Sequence, residues 1–302
     1  MPIDWVTIAI LGAAVLGLVS IMDSHFISRR MPGLVAYLLP LSIAMLVSGS
    51  VLFCLFPLPN DIGIWPLVIS VAAGILRTAS LAILFYTMKR EEVSRVMPLA
   101  NTYPVFVAIM AVPLLGETLY YLEWIAIVIV VAGAVIISAR QSPGGSTSWL
   151  GTSFFLLVGS SLIRAVAEVV SKYALAYISF WNMTCIYLLC MGTIFILISM
   201  RPHILKELVK MKHRNLTLTL VVFNQILAVA GIALFFYAME RGPVSLVATI
   251  ISSRPIFVFI YALILSRVSP TFIEWQSGKV MLVLRILATT MIVGGIAIIY
   301  LA

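Results

Sequence analysis

The stretch FYTMKREEVSRVMPLANTYPVFV, Phe85–Val107, recurs 151 residues later as FYAMERGPVSLVATIISSRPIFV, Phe236–Val258. The two copies are identical at ten of 23 positions. Their offset is half of the 302-residue chain, so the repeat divides the chain into two halves of equal size.

Long apolar runs lie on both sides of each copy and recur from end to end. The chain is 63% hydrophobic and only 10% charged, whereas about half of a soluble domain is apolar and about a quarter is charged. A spanning helix needs about 20 mostly apolar residues, and the runs lack the strict alternation of barrel strands. We therefore predict an all-α polytopic membrane protein with ten transmembrane helices. The predicted spans are Trp5–Ile27, Leu34–Phe56, Ile64–Met88, Val93–Leu115, Leu122–Ala139, Trp149–Ser171, Phe180–Met200, Leu216–Ala238, Val244–Leu265 and Val280–Leu301.

The repeat and the span count together predict two domains. Residues 1–140 form the first five-helix repeat, 141–148 a linker and 149–302 the second five-helix repeat. Five is an odd number, so consecutive halves enter the membrane from opposite sides. An inverted repeat of this kind is typical of secondary transporters.

The basic residues predict an orientation. The net charge is +8, and thirteen of the 19 lysines and arginines follow predicted helices one, three, five, seven and nine, against two on the opposite face. The positive-inside rule therefore predicts that both termini lie outside the cytoplasm. We expect the protein to reside in the cell membrane. The basic residues are scattered over loops instead of forming one aromatic-interleaved patch, so we expect no nucleic acid partner.

The residues SRVMPLANTYPVFVAIMAVPLLGETL at 94–119, VSLVATIISSRPIFVFIYALIL at 244–265, and the endings AGAVIIS and VGGIAIIY resemble the drug/metabolite transporter superfamily, EamA type. The resemblance covers the whole chain. It implies a secondary transporter or exporter of small metabolites, with a central cavity between two five-helix halves.

Two features differ from that family. The Gly-Glu that usually ends the fourth helix is Gly116-Glu117, but the second half has Ser266-Arg267 near the corresponding place. The basic residues also predict termini outside the cytoplasm, whereas the family is commonly described with cytoplasmic termini.

Charged residues inside predicted spans are the first site candidates, because a charge at membrane depth costs roughly 2.5–3.5 kcal/mol on insertion scales. Arg77 and Arg254 fall near the midpoints of their spans and have no carboxylate three or four residues away. We predict that both anchor an anionic group of the substrate.

Three further charged residues are candidates for coupling or for an ion pair. Arg164 and Glu168 are four residues apart on one helix and can pair with each other. Asp23 lies near His25, Arg29 and Arg30, which favours a local surface network over a proton relay, and the alternative is that Asp23 reaches an inward-facing arginine.

Helix breaks and polar side chains complete the predicted site. Prolines in matching places of the two copies interrupt helices four and nine, and interruptions at corresponding depths indicate a transport site. The breaks are Pro104 and Pro255, and the polar candidates for substrate binding are Asn101, Tyr103, Ser253, Asn224 and Gln225. Each polar residue has the alternative role of tying helices together.

The sequence thus predicts a transporter of a small polar metabolite, anionic or zwitterionic, that works by alternating access. The alternatives are an exporter of cationic or hydrophobic drugs and an intramembrane enzyme, although the clustered carboxylates of the latter are missing. We expect no cofactor, no metal and no catalytic residue. The expected partners are the substrate, the lipid bilayer and a proton or an exchanged metabolite, and homo-oligomerisation is left open.

Overall fold

A computed structural model describes residues 4–59, 62–88, 96, 99–138, 152–211, 214–268 and 279–301. Every regular element in these ranges is a helix. A π-helical turn, Phe26–Arg30, follows the first helix. The α-helices of the described residues are α1 Trp5–His25, α2 Leu34–Leu55, α3 Ile64–Met88, α4 Tyr103–Leu115, α5 Tyr121–Ser138, α6 Thr152–Ala174, α7 Phe180–Ser199, α8 Pro202–Val209, α9 Arg214–Arg241, α10 Val244–Ser252, α11 Arg254–Val268 and α12 Lys279–Leu301.

Seven stretches of these ranges are long and apolar enough to cross a membrane. Three shorter apolar helices, Tyr103–Leu115, Tyr121–Ile136 and Ile286–Leu301, occupy the remaining predicted spans. The prediction of an all-α polytopic membrane protein is confirmed. The proposed linker, 141–148, lies outside the described residues.

The helices of the two predicted halves pack against each other in matched pairs. The first helix of each half lies against the third of the other, α1 on α9 and α6 on α3. The second helices pair as α2 with α7, and the fifth helices as α5 with α12. Each half therefore completes the packing of the other.

The two sequence copies interrupt their helices in the same way. The amide of Thr102 donates to the Leu99 carbonyl, and the amide of Ser253, 151 positions later, donates to the Ile250 carbonyl. Both hydroxyls back-bond to the same carbonyls, at 2.7 Å for Thr102 and 2.6 Å for Ser253. Helix α4 begins at Tyr103, directly after Thr102. Helix α11 begins at Arg254, directly after Ser253, which separates it from α10. Proline has no N–H to continue the preceding helical ladder, which accounts for both interruptions.

Glycine allows α5 and α12 to approach closely. A Cβ at Gly133 would lie 2.9 Å from the Ala288 carbonyl oxygen, and one at Gly295 would lie 2.5 Å from a Val130 methyl carbon. Small residues at such crossings are typical of membrane helices, where packing replaces the hydrophobic effect as the driving force.

Candidate functional site

A buried ion pair connects the two predicted halves. Arg77 on α3 contacts the Glu168 carboxylate on α6 through its Nη1 atom. The predicted partner of Glu168 was Arg164, whose Nε atom lies 3.8 Å from the same carboxylate oxygen. One carboxylate thus lies between two guanidinium groups, and Arg77 is the closer.

Aromatic rings surround both of these arginines. The Arg164 guanidinium carbon lies 3.5 Å from the centre of the Tyr103 ring. That of Arg77 lies 5.9 Å from the Tyr187 ring centre and 6.0 Å from the Phe235 ring centre. Ring faces attract cations, most strongly where water is excluded, so the rings stabilise charges that the bilayer disfavours.

Arg254 has no such partner. It begins α11 directly after the interruption at Ser253, and its buried Nε atom has no hydrogen-bond acceptor. Within the part of the chain that the structure describes, it forms neither a hydrogen bond nor an ion pair. The charge of Asp23 attracts it and the charge of Arg77 repels it. Arg254 is therefore a half-buried cation whose Nε atom lacks a direct partner among the described residues.

Asp23 points inward, in contrast to the expected surface network with His25 and the following arginines. Its Oδ1 atom accepts hydrogen bonds from the Tyr37 hydroxyl at 2.5 Å and from the Asn224 amide at 2.6 Å. Tyr37 lies on α2 and Asn224 on α9, so the carboxylate joins three helices. The expectation was wrong because donors on neighbouring helices, which the sequence does not reveal as neighbours, satisfy the carboxylate.

The remaining polar candidates occupy different environments. The Tyr103 hydroxyl donates to the Ala248 carbonyl at 3.1 Å and so ties α4 to α10. Gln225 donates to the Ser48 hydroxyl at 3.4 Å, and its own carbonyl oxygen is buried without a donor. Asn101 lies half-buried in the turn before α4.

The structure thus brings two groups of candidates together. The larger group contains Arg77, Arg164, Glu168 and Tyr103. The smaller contains Asp23 and Asn224, with Arg254 within electrostatic reach of Asp23. The buried hydroxyl of Ser253 and the prolines Pro104 and Pro255 belong to the helix interruptions.

The charges of these groups do not balance. Three arginines, Arg77, Arg164 and Arg254, face two carboxylates, Asp23 and Glu168, across the described helices. Arg77 and Arg164 share the single charge of Glu168, whereas Arg254 has only the Asp23 carboxylate within electrostatic reach and no direct partner among the described residues. A negatively charged ligand would remove the imbalance.

A second polar cluster lies at the ends of the helices, away from these arginines. Glu117, just after α4, accepts hydrogen bonds from the amide of Val244 at 2.5 Å and from the amide and hydroxyl of Ser245 at 3.3 and 2.5 Å. These donors form the first turn of α10. The carboxylate therefore caps a helix of the opposite half, and its charge suits the positive end of that helix dipole.

Lys172 caps the C-terminal end of α9. Its ammonium group donates to the carbonyls of Met239 at 2.6 Å and Gly242 at 2.9 Å, where α9 ends. Lys172 and Glu117 also attract each other. Sequence reasoning missed this cluster, although the Gly-Glu pair was a signal for it.

The chain is similar to a known family and to a solved structure. A family model described as the EamA-like transporter family matches residues 4–139 and 151–301. No curated protein matches the chain. One solved crystal structure is similar with a TM-score of 0.71 and 19% sequence identity, covering 98% of this chain and 95% of its own. At that identity the likeness shows the fold alone.

Proposed function

This chain belongs to the EamA-like transporter family, and we propose that it carries a small polar metabolite with a carboxylate or phosphate group, as a secondary active transporter or exporter. Members of the family are transporters, so the chain is a drug/metabolite-type transporter of small molecules and an integral membrane protein. The substrate class and the mechanism are our proposals.

The observation that carries the proposal is the unpaired guanidinium of Arg254. A charge inside a membrane protein is expensive and normally faces a partner or a substrate pathway. Arg254 has no protein partner among the described residues and lies at a helix interruption, where unwound backbone is tolerated if it lines a cavity. An anionic substrate group would supply the missing partner.

Arg77 takes a secondary role in this site. Its ion pair with Glu168 holds it in place, so that it adds positive potential without being the first contact. A planar guanidinium can bind a carboxylate or a phosphate through two parallel hydrogen bonds. We therefore assign the direct contact to Arg254 and expect a smaller effect from Arg77.

Alternating access is supported by the matched interruptions. The two helix breaks occupy equivalent positions of the two sequence copies, and α4 lies against α10 between them. In inverted-repeat transporters, the substrate site lies near the midplane beside such discontinuous helices. Rocking of one half against the other would expose that site to each side in turn.

Export of cationic drugs is the alternative, and the charge distribution disfavours it. Among the described residues, a cation at this site would approach three half-buried arginines and two carboxylates, both of which already accept hydrogen bonds or ion pairs. A neutral apolar substrate would leave Arg254 without a counter-charge.

Binding to purified protein tests the proposal. The panel contains amino acids, organic acids, sugar phosphates and cationic drugs, and the variants are Arg254→Ala, Arg254→Lys and Arg77→Ala. A hydrogen bond to a charged group contributes about 1.5–3 kcal/mol, so we expect Arg254→Ala to weaken anion binding about ten- to hundred-fold. Arg254→Lys should retain part of the affinity. Exclusive binding of cations would refute the proposal.

Arg241→Ala is the matched control for these variants. Arg241 is exposed at the end of α9, where its guanidinium carbon lies 4.5 Å from the Tyr237 ring centre, away from Arg254. Its removal changes the net charge by the same amount and should leave binding unchanged. An equal loss in both variants would show that only overall charge matters.

We also propose that the protein resides in the cell membrane with both termini outside the cytoplasm. The distribution of lysine and arginine over the loops supports this orientation.

A further inference from the structure

Two carboxylates, Asp23 and Glu168, lie on corresponding helices of the two predicted halves but have different partners. Each lies on the first helix of one predicted half and contacts the third helix of the other, Glu168 against α3 and Asp23 against α9. Glu168 faces two guanidinium groups. Asp23 accepts only from neutral donors, the Tyr37 hydroxyl and the Asn224 amide, and forms no ion pair among the described residues.

This difference decides which carboxylate can take up a proton. Protonation of Glu168 would leave Arg77 and Arg164 as buried charges without their counter-ion, which is a strongly unfavourable state. Protonation of Asp23 removes one charge from the membrane interior and breaks no direct ion pair. The neutral acid can still accept from Tyr37 or Asn224.

The groups around Asp23 come from several helices. Tyr37 faces it from α2, Asn224 from α9 and Arg254 from the start of α11. Helix α10 also packs on α1 but contributes no titratable side chain. On the same stretch of chain, His25 and the two arginines of the π-helical turn follow Asp23. Arg254 is therefore the charged group that reaches Asp23 from another helix.

We propose that Asp23 is the proton-binding site that couples transport to a proton gradient, and that Arg254 links the proton to the substrate. The ionised carboxylate of Asp23 attracts the Arg254 guanidinium. It therefore competes with an anionic substrate group for that guanidinium. When Asp23 binds a proton, this competition ends and Arg254 can hold the substrate anion. Proton and anion then bind together and move in the same direction, because coupling between two sites is reciprocal. The coupling step rests on the anionic substrate proposed above, whereas proton binding at Asp23 does not.

Infrared difference spectroscopy of purified protein across a pH titration tests the proton site without any substrate. A protonated carboxyl group has a carbonyl-stretch band that the carboxylate lacks. We expect Asp23→Asn to remove one such band and Glu168→Gln to leave it in place. Asparagine keeps the size and the acceptor oxygen of the aspartate, so Asp23→Asn should fold. A spectrum that Asp23→Asn leaves unchanged, or the loss of the band in Glu168→Gln alone, would overturn the proposal.

The link to Arg254 has its own readout in the same experiment. Arg254→Gln removes the cation that favours the ionised form of Asp23, so the Asp23 band should persist to higher pH than in the unmodified protein. Arg241→Gln is the control and should leave the band unmoved. No movement in Arg254→Gln would refute the coupling. If Asp23 titrates as expected while no anion binds in the panel, the proposed substrate class is wrong but the proton site stands.

Discussion

Removal of the Glu117 carboxylate should loosen the contact between the two predicted halves at one face of the protein. Glu117 is the acid of the Gly-Glu pair that ends α4, and its carboxylate accepts all three hydrogen bonds from the first turn of α10. In Glu117→Ala, the amides of Val244 and Ser245 lose their acceptor. In Glu117→Gln, one acceptor oxygen remains but the charge is lost.

The expected cost follows from these contacts. Loss of an N-cap costs about 0.5–2 kcal/mol, and a hydrogen bond to a charged group contributes about 1.5–3 kcal/mol. The three bonds share one carboxylate, so their contributions do not add fully. We expect Glu117→Ala to lower the free energy of unfolding by about 2–4 kcal/mol. Glu117→Gln should cost about half of that, because charge-assisted bonds are roughly twice as strong as neutral ones.

Glu123→Ala is the matched control. The Glu123 carboxylate also caps a helix, but among the described residues it accepts a single hydrogen bond, from the Tyr120 amide at 2.7 Å, within its own half. Its loss should cost about 1 kcal/mol. The control therefore separates local helix capping from the tie between halves.

Two measurements test the prediction. Unfolding in detergent micelles by titration with dodecyl sulfate, followed by circular dichroism, gives the free energies. Hydrogen exchange with mass spectrometry should show faster exchange of the Val244 and Ser245 amides in Glu117→Ala and unchanged exchange there in Glu123→Ala. Equal costs for Glu117→Ala and Glu123→Ala, or equal costs for alanine and glutamine at 117, would refute the reasoning.

Three further results should follow from the packing and the loops. Gly295→Ala places a methyl group 2.5 Å from a Val130 side-chain carbon and should destabilise the protein by about 1–3 kcal/mol, whereas Gly294→Ala meets no atom within 4 Å and should be neutral or stabilising in the same unfolding assay. Tyr103→Phe loses the bond to the Ala248 carbonyl but keeps the ring under the buried guanidinium, so it should cost about 1 kcal/mol, and Tyr103→Leu should cost clearly more. A C-terminal reporter that works only in the cytoplasm should be inactive, and an active one would contradict the proposed orientation.

The helices and the repeat could be predicted because their signals are local. Apolar length defines a span, and the shared Thr102 and Ser253 back-bonds arise within a few residues of each proline. The offset of 151 residues shows which positions of the two copies correspond, and no tertiary contact is needed to find it. Those features therefore follow from the sequence alone.

The partners of the buried charges could not be predicted, because they come from the opposite half. Nothing in the sequence around Arg77 indicates that Glu168, 91 positions later, lies against it. The expectation for Asp23 failed for a geometric reason as well. In a regular α-helix, Arg30 would share a face with Asp23, seven positions before it. The π-helical turn at Phe26–Arg30 rotates the chain less per residue, so the register of a regular α-helix does not apply there.

The two sequence copies place different side chains at their corresponding helix breaks. Tyr103 and Arg254 occupy the same position of the two copies, each directly after the residue that interrupts the helix. Tyr103 is fully engaged, because its ring stacks on Arg164 and its hydroxyl bonds to α10. Arg254 has no direct partner among the described residues, and in our proposal it receives the anionic group of the substrate. A second arginine in place of Tyr103 would add another charge without a counter-ion, whereas the tyrosine adds no charge and stabilises the Arg164 guanidinium through its ring. In the transport mechanism that we propose, the matching helix breaks serve alternating access, and the unequal side chains limit the site to one anionic group.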